Sequence, residues 1–314
     1  MEPITADAIA AAHARIAPHV RRTPVLEVES AAFGTPGHVT LKLELHQHTG
    51  SFKPRGAFNR LLSHAAVDAG VVAASGGNHG LGVAHAARTL GSAATIFVPT
   101  TTPEVKVSRL RALGAEVRIA GQHYAEALEA SATFAQGSGA LVAHAYDQPE
   151  IVAGQGTVAL ELDDQRPDLD TLLVAVGGGG LIAGVAGWYA GRVRVVAVEA
   201  EGTATYAAAL EAGGPVDIEV GGSTADSLGA RRLGEHAWAA RRWIARSVIV
   251  SDEDVRAAQR ALLREVRLIA EPGGAAALAA LLGGHYRPEH DERVGVLVCG
   301  ANTDPLSLDD EEAA

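Results

Sequence analysis

"TLLVAVGGGGLIAGVAGWYAG" (171–191) sets a six-residue apolar run against four glycines and then a second, longer apolar run. The first run is the length of a strand buried on both faces, and the second, rich in Ala and Leu, continues as a helix. Strand, glycine turn and helix form the repeating unit of a parallel sheet. The same order recurs along the chain. "VVAA" (71–74) leads through "SGGNHG" into "LGVAHAARTLG", and "ATIFVP" (94–99) leads into "TTTPEVKVSRLRALG". In the latter, Thr102 is expected to cap a helix whose first turn contains Pro103. "EVRIA" (116–120) precedes the helical "HYAEALEASATFAQG", and "VRVVAVEA" (193–200) and "RVGVLVCG" (293–300) are further strands. "SDEDVRAAQRALLREV" (251–266) opens with Ser251 and Asp254 at capping-box spacing. The expected fold class is α/β, with open, mostly parallel sheets and helices on both faces.

The chain has 314 residues, 47% of them hydrophobic, which is enough for two lobes. A formal net charge of −11 argues against nucleic acid or an anionic membrane as a partner. Any anionic ligand must therefore be held by local amides. The one cysteine, Cys299, permits no intrachain disulfide and fits a reducing cytoplasm. The start, "MEPITADAIAAAHARIAPHV", has no basic region before an apolar run, so no signal peptide is expected. No run approaches the roughly 18 apolar residues of a spanning helix, so a cytoplasmic protein is expected. The acidic tail "LSLDDEEAA" (306–314) reads as a solvated end.

Four successive glycines at a helix start can turn several N–H groups toward one anion, where the helix dipole also favours negative charge. A tight turn alone needs only one or two. The phosphate could belong to a dinucleotide, since Gly178-x-Gly180-x-x-Ala183 is followed by Glu199 at the end of the next strand. That reading leaves two features without a role. One is "SGGNHG", whose Ser75, Gly76, Gly77 and Asn78 could wrap a carboxylate, or could form an ordinary glycine turn. The other is Lys53 in "ELHQHTGSFKPRG" (44–56), a single lysine held between turn formers. His46, His48, His79 and His85 have no metal-binding spacing, and no metal is expected.

Taken together the motifs are far more specific. "KLELHQHTGSFKPRGA", "SGGNHGLGVAHAA", "DQPEIVAGQGT", "VGGGGLIAG", "AEPGGAAALAAL" and "VCGANTD" follow one another from about residue 20 to 305. In this the chain resembles the threonine/serine dehydratases (ammonia-lyases) among the fold-type-II, tryptophan-synthase-β-like pyridoxal-phosphate enzymes. The resemblance implies two lobes with the cofactor between them. Residues 1–70 and 147–314 would form a large domain, and 71–146 a small inserted one. It implies Lys53 as the covalent anchor of pyridoxal phosphate and as the base beside Cα, with Phe52 against the ring. Gly177, Gly178, Gly179 and Gly180 would cradle the phosphate, with Leu181 opening the helix. Asn78 would bond the ring hydroxyl, and Cys299 would lie beside the pyridine nitrogen. Ser51 or Thr49, Ser75, Gly76 and His79 would border the substrate carboxylate. Glu271 would face the active site, or merely start a helix. The implied reaction is β-elimination of L-threonine, L-serine or a related β-hydroxy amino acid to a 2-keto acid and ammonia, by a homodimer.

Serine racemases share most of these motifs, whereas β-replacement enzymes, the other alternative, carry a differently composed asparagine loop. A racemase needs a second proton carrier opposite the lysine, one position after the match to Ser75, and Gly76 stands there without a side chain. The racemase branch also has a cation site. Here Glu199 remains, but the second carboxylate is replaced by Thr205. A regulatory domain of the biosynthetic threonine dehydratases is not expected after "VCGANTD".

Overall fold

The computed structural model describes residues 1–35, 37–64 and 68–308. From residue 309 onward the acidic tail lies outside the described residues. Among the described residues ten strands run in chain order: β1 (Val25–Val28), β2 (Val39–Leu43), β3 (Val71–Ala74), β4 (Ala94–Val98), β5 (Glu116–Ile119), β6 (Leu141–Val142), β7 (Thr171–Ala175), β8 (Arg194–Ala200), β9 (Ile244–Val250) and β10 (Val294–Val298). Six form one sheet in the order β1-β2-β10-β7-β8-β9, and four form another in the order β5-β4-β3-β6. Every pairing is parallel except β1 with β2. All four strands of the smaller sheet fall between residues 71 and 142, and all six of the larger fall outside that range.

The central strands β2, β7 and β10 are buried at every residue, as strands covered on both faces must be. Two separate groups of helices cover the larger sheet. Pro149–Gln165 packs with Gly180–Tyr189 and Ala6–Ile16, and Asp252–Val266 packs with Pro272–Leu282. The helix Asp252–Val266 starts with the expected reciprocal Ser251–Asp254 capping box.

Three local expectations need correction. Thr102 caps nothing: the helix is Glu104–Ala112, and Pro103 sits at its N-cap position. The Thr102 N–H closes a turn on the Pro99 carbonyl instead, and its side chain turns toward Gly76. β5 is largely exposed, because it lies at a sheet edge. β1, β2, β6 and β9 were not among the expected strands. β2 reads as half-polar because of Lys42, yet Lys42 is fully buried.

Candidate active site

The parallel strands of both sheets deliver their C-terminal ends to one cleft, where open α/β sheets carry their loops and helix starts. After β2 the chain bends through Thr49 (φ 63°) and Gly50 (φ 77°), both left-handed. Thr49 is the costly member of that pair, since left-handed backbone suits few residues other than glycine. The bend pays out into a short bridge with the end of β10. Ser51 pairs with Gly300, the Phe52 N–H donates to the Cys299 carbonyl, and the Ala301 N–H donates to the Gly50 carbonyl. Lys53 then opens the helix Lys53–Leu62, with Pro54 in its first turn.

Two residues on, Arg55 anchors that turn. Its guanidinium is fully buried and donates to both oxygens of Glu44 (2.7 and 2.8 Å) and of Glu161 (both 2.8 Å). Lys42 joins from β2, 3.0 Å from Glu161. Two cations thus balance two carboxylates. Burial alone would lower the Arg55 pKa, but its carboxylate partners raise it, so the group stays charged.

The Lys53 Nζ donates to the Ala145 carbonyl at 2.9 Å and lies 5.1 Å from the Phe52 ring centroid. Burial lowers its pKa to about 8, opposed by Cys299 and Glu271 nearby. The residue after Ala145 reaches the glycine loop. A Cβ on Gly178 would stand 2.4 Å from the Tyr146 ring, and one on Gly180 would stand 2.5 Å from the Tyr146 carbonyl. Gly179 is left-handed, with φ 85°. The glycines are therefore also a steric requirement, because Tyr146 links the lysine to the loop. The helix begins at Gly180, one residue before expectation. Among the described residues no hydrogen-bond acceptor is found for the N–H groups of Gly177, Gly178, Gly179, Gly180 and Leu181. Those free amides at a helix N-terminus suit a phosphate.

The opposite wall comes from the smaller sheet. Ser75 Oγ accepts the Gly77 N–H at 3.2 Å. The Asn78 amide is held at both ends: its Nδ2 donates to Glu271 at 2.6 Å, and its Oδ1 accepts from Asn302 at 2.6 Å. Glu271 stands at the N-cap position of Pro272–Leu282 but does not cap it, and its side chain faces Asn78. Burial raises its pKa to about 7. His79 is buried and donates from Nε2 to the Ala143 carbonyl at 2.9 Å; burial and then Lys53 lower its pKa to about 3, so the ring is neutral. Burial pushes the Cys299 thiol up, leaving it uncharged, 3.4 Å from the Gly273 carbonyl. Thr49 Oγ1 and Ser51 Oγ are buried without partners. A cavity of about 20 Å³ is bordered by Gly76, Asn78, Leu81, Lys106, Arg109 and Glu271.

Glu199 is elsewhere engaged. Its carboxylate is fully buried and accepts the N–H groups of Tyr206 and Ala207 at 2.7 and 2.9 Å, so it is not available to a ribose. Among the described residues no group of three His, Cys, Asp or Glu side chains could hold a metal, and no helix is long and apolar enough to cross a membrane. Ala145, Tyr146, Thr205 and Asn302 were not singled out from sequence as site residues. Their only local signal was that Tyr146 precedes "DQPEIVAGQGT" and Asn302 lies within "VCGANTD".

Comparison with known proteins gives the following. The family described as pyridoxal-phosphate dependent enzyme matches residues 16–300. Phenylserine dehydratase of Ralstonia pickettii is 39% identical over 96% of this chain and 94% of its own. L-threonine ammonia-lyase of Thermotoga maritima is 35% identical over 92% and 73%. Among solved structures, maize serine racemase superposes with a TM-score of 0.91 at 33% identity, over 98% of this chain and 96% of that one.

Proposed function

This chain belongs to the pyridoxal-phosphate dependent enzymes, and from that premise we propose that it is a lyase converting L-threonine, L-serine or a related β-hydroxy amino acid to a 2-keto acid and ammonia. The observation that carries the reading is the pairing of a part-buried Lys53 amine with acceptor-free amides at Gly177–Leu181, joined through Ala145 and Tyr146. These groups suit the cofactor: an amine for its aldehyde, amides for its phosphate and an uncharged thiol at Cys299 for its ring nitrogen. When bound, pyridoxal phosphate supplies the aldehyde that takes up the substrate amine and a conjugated ring that accepts the electrons released at Cα.

The protein's own groups set the rest. Lys53, with its pKa lowered from 10.5 to about 8, gives up its proton far more readily than an ordinary lysine, as a base for the Cα proton must. Phe52 would lie against the ring. Asn78, fixed by Glu271 and Asn302, would bond the ring hydroxyl. Cys299 cannot serve as the strong acid that would keep the ring nitrogen protonated, which suits fast departure of the β-hydroxyl over slow reactions at Cα. The Ser51 hydroxyl, buried and without a hydrogen-bond partner among the described residues, would border the substrate carboxylate with Ser75, Gly76 and His79.

The solved serine racemase structure makes racemisation the rival. Gly76 weighs against it: it carries no proton, and a Cβ there would stand 2.9 Å from Thr102 Cγ2. We also infer the division into a large domain (1–70 with 147–314) and a small one (71–146), and a cytoplasmic homodimer. Light scattering that gives a monomer would overturn the assembly.

The test is spectroscopic and then chemical. The purified protein should show a visible cofactor band that borohydride removes and that Lys53→Ala lacks. Serine, threonine and phenylserine, each as L isomer, should be assayed for keto acid and ammonia. Release from none of them, or D-serine formed faster than pyruvate, would sink the lyase reading.

A further inference from the structure

The amides of the glycine loop converge only if each peptide plane is held, and glycine peptides are the easiest to rotate. A trans peptide is planar, so its carbonyl and its N–H point in opposite directions. Fixing the carbonyl of one residue therefore aims the N–H of the next. In this loop three successive carbonyls are held. The Gly179 carbonyl accepts the Ala183 N–H at 2.9 Å, and the Gly178 carbonyl accepts the Gly234 N–H at 3.0 Å. The Gly177 carbonyl accepts the Thr205 hydroxyl at 2.5 Å. The first two holds are main chain. The third depends on a side chain that comes from 28 residues away.

Thr205 is itself rigidly placed. It is fully buried and opens the helix Thr205–Ala212. That helix start is stapled to the larger sheet by Glu199 on β8, which accepts the next two N–H groups, and Ser247 on β9 donates to Glu199 at 3.3 Å. Thr203, two residues earlier, meets the Thr224 hydroxyl at 3.2 Å. Thr224 in turn begins the segment whose Leu228 backbone packs on Gly177: a Cβ on Gly177 would stand 2.7 Å from the Leu228 carbonyl. One short stretch, 199–205, thus braces the glycine loop and the segment beside it.

We propose that Thr205 is a positioning residue for the cofactor: by holding the Gly177 carbonyl it aims the Gly178 N–H into the phosphate cradle. This rests on reading Gly177–Leu181 as that cradle. Without the hydroxyl, the Gly177–Gly178 peptide is free to turn, and one of the converging amides is lost to the phosphate. The ring and aldehyde sites are untouched.

The experiment titrates apo protein with pyridoxal phosphate and, separately, with pyridoxal, which has the same ring and aldehyde and no phosphate. Wild type, Thr205→Val and Thr205→Ser are compared, and circular dichroism checks that each is folded. Thr205→Val should weaken pyridoxal phosphate binding by about tenfold, the scale of one neutral hydrogen bond. Its pyridoxal affinity should stay within about twofold of wild type on the same scale, and Thr205→Ser should restore phosphate discrimination. If Thr205→Val does not fold, Thr205→Ala carries the same comparison, and if that fails too, Thr205→Ser must keep the wild-type ratio of the two affinities. Equal weakening for both compounds, or no weakening for either, overturns the positioning role. A wild type that binds pyridoxal as tightly as pyridoxal phosphate instead removes the cradle reading, and the positioning role with it.

Discussion

Lys53 is the residue on which the fold and the chemistry make opposite demands. A buried amine prefers to be neutral, and this one has a pKa of about 8 against an ordinary 10.5. A folded pKa below the unfolded one means that stability present above pH 10.5 is lost as pH falls toward 8. At pH 7 the apo protein therefore carries a buried ammonium at a cost of up to about 3 kcal/mol. Lys53→Met is expected to raise the apo Tm at pH 7 and to gain little at pH 10.5, while abolishing turnover. Calorimetry at the two pH values checks this, and equal gains at both would contradict the desolvation argument. From sequence, Lys53 stood out because turn formers flank it on both sides. Arg55, two residues later, did not, because what makes it matter is Glu161, which is 106 residues distant, and no local pattern reports that pairing.

At the scale of elements, the glycine loop has two independent reasons for its composition, and substitution can separate them. The clash at Gly178 is with a side chain, whereas that at Gly180 is with main chain. Gly178→Ala should lower cofactor affinity, and adding Tyr146→Ala should recover part of it. Gly180→Ala should be equally damaging with or without that second change, because the Tyr146 carbonyl remains. Fluorescence titration of apo protein measures each, and recovery of both glycine variants would show that the clash is not what matters. Strand–glycine–helix units were legible because their signals are local: β3, β4, β7, β8 and β10 all lie where the apolar runs stand. The strands that sequence hides depend on distant partners. β2 carries Lys42, whose ion pair is with Glu161 on the distant helix Pro149–Gln165, and β9 exposes Arg246 and Ile249 as an edge strand can. The Thr205 hydroxyl is hidden for the same reason, since its acceptor precedes it by 28 residues.

For the whole molecule, buried carboxyls contribute to the response to pH. Burial raises Glu199 and Glu271 to about 7 from an ordinary 4.5. A raised folded pKa favours the protonated, folded form, so this contribution is full below pH 4.5 and is lost as pH rises toward 7. His79 opposes it, because a folded pKa of about 3 against an ordinary 6.5 adds stability as pH rises; relative to wild type, Glu199→Gln should therefore make the slope across that window more positive, and an unchanged slope would show that Glu199 is ionised when folded. The two sheets meet across the cleft through Lys106 with Asp226 and Arg109 with Asn302, contacts made by the helix Glu104–Ala112. Exposed pairs of this kind are individually weak, at most about 1 kcal/mol, so the hold between the two sheets rests more on the Asn78 links to Glu271 and Asn302 and on Ala57 and Phe58 in the core of the smaller sheet. The protein's one thiol lies beneath that seam, on the strand end that pairs with the lysine loop, and is only 4% exposed. It is a built-in reporter: a thiol reagent reaches Cys299 only when the cleft opens or the chain unfolds. The modification rate of the native protein, with no label introduced, would measure how often the active site breathes and how far a bound ligand stops it.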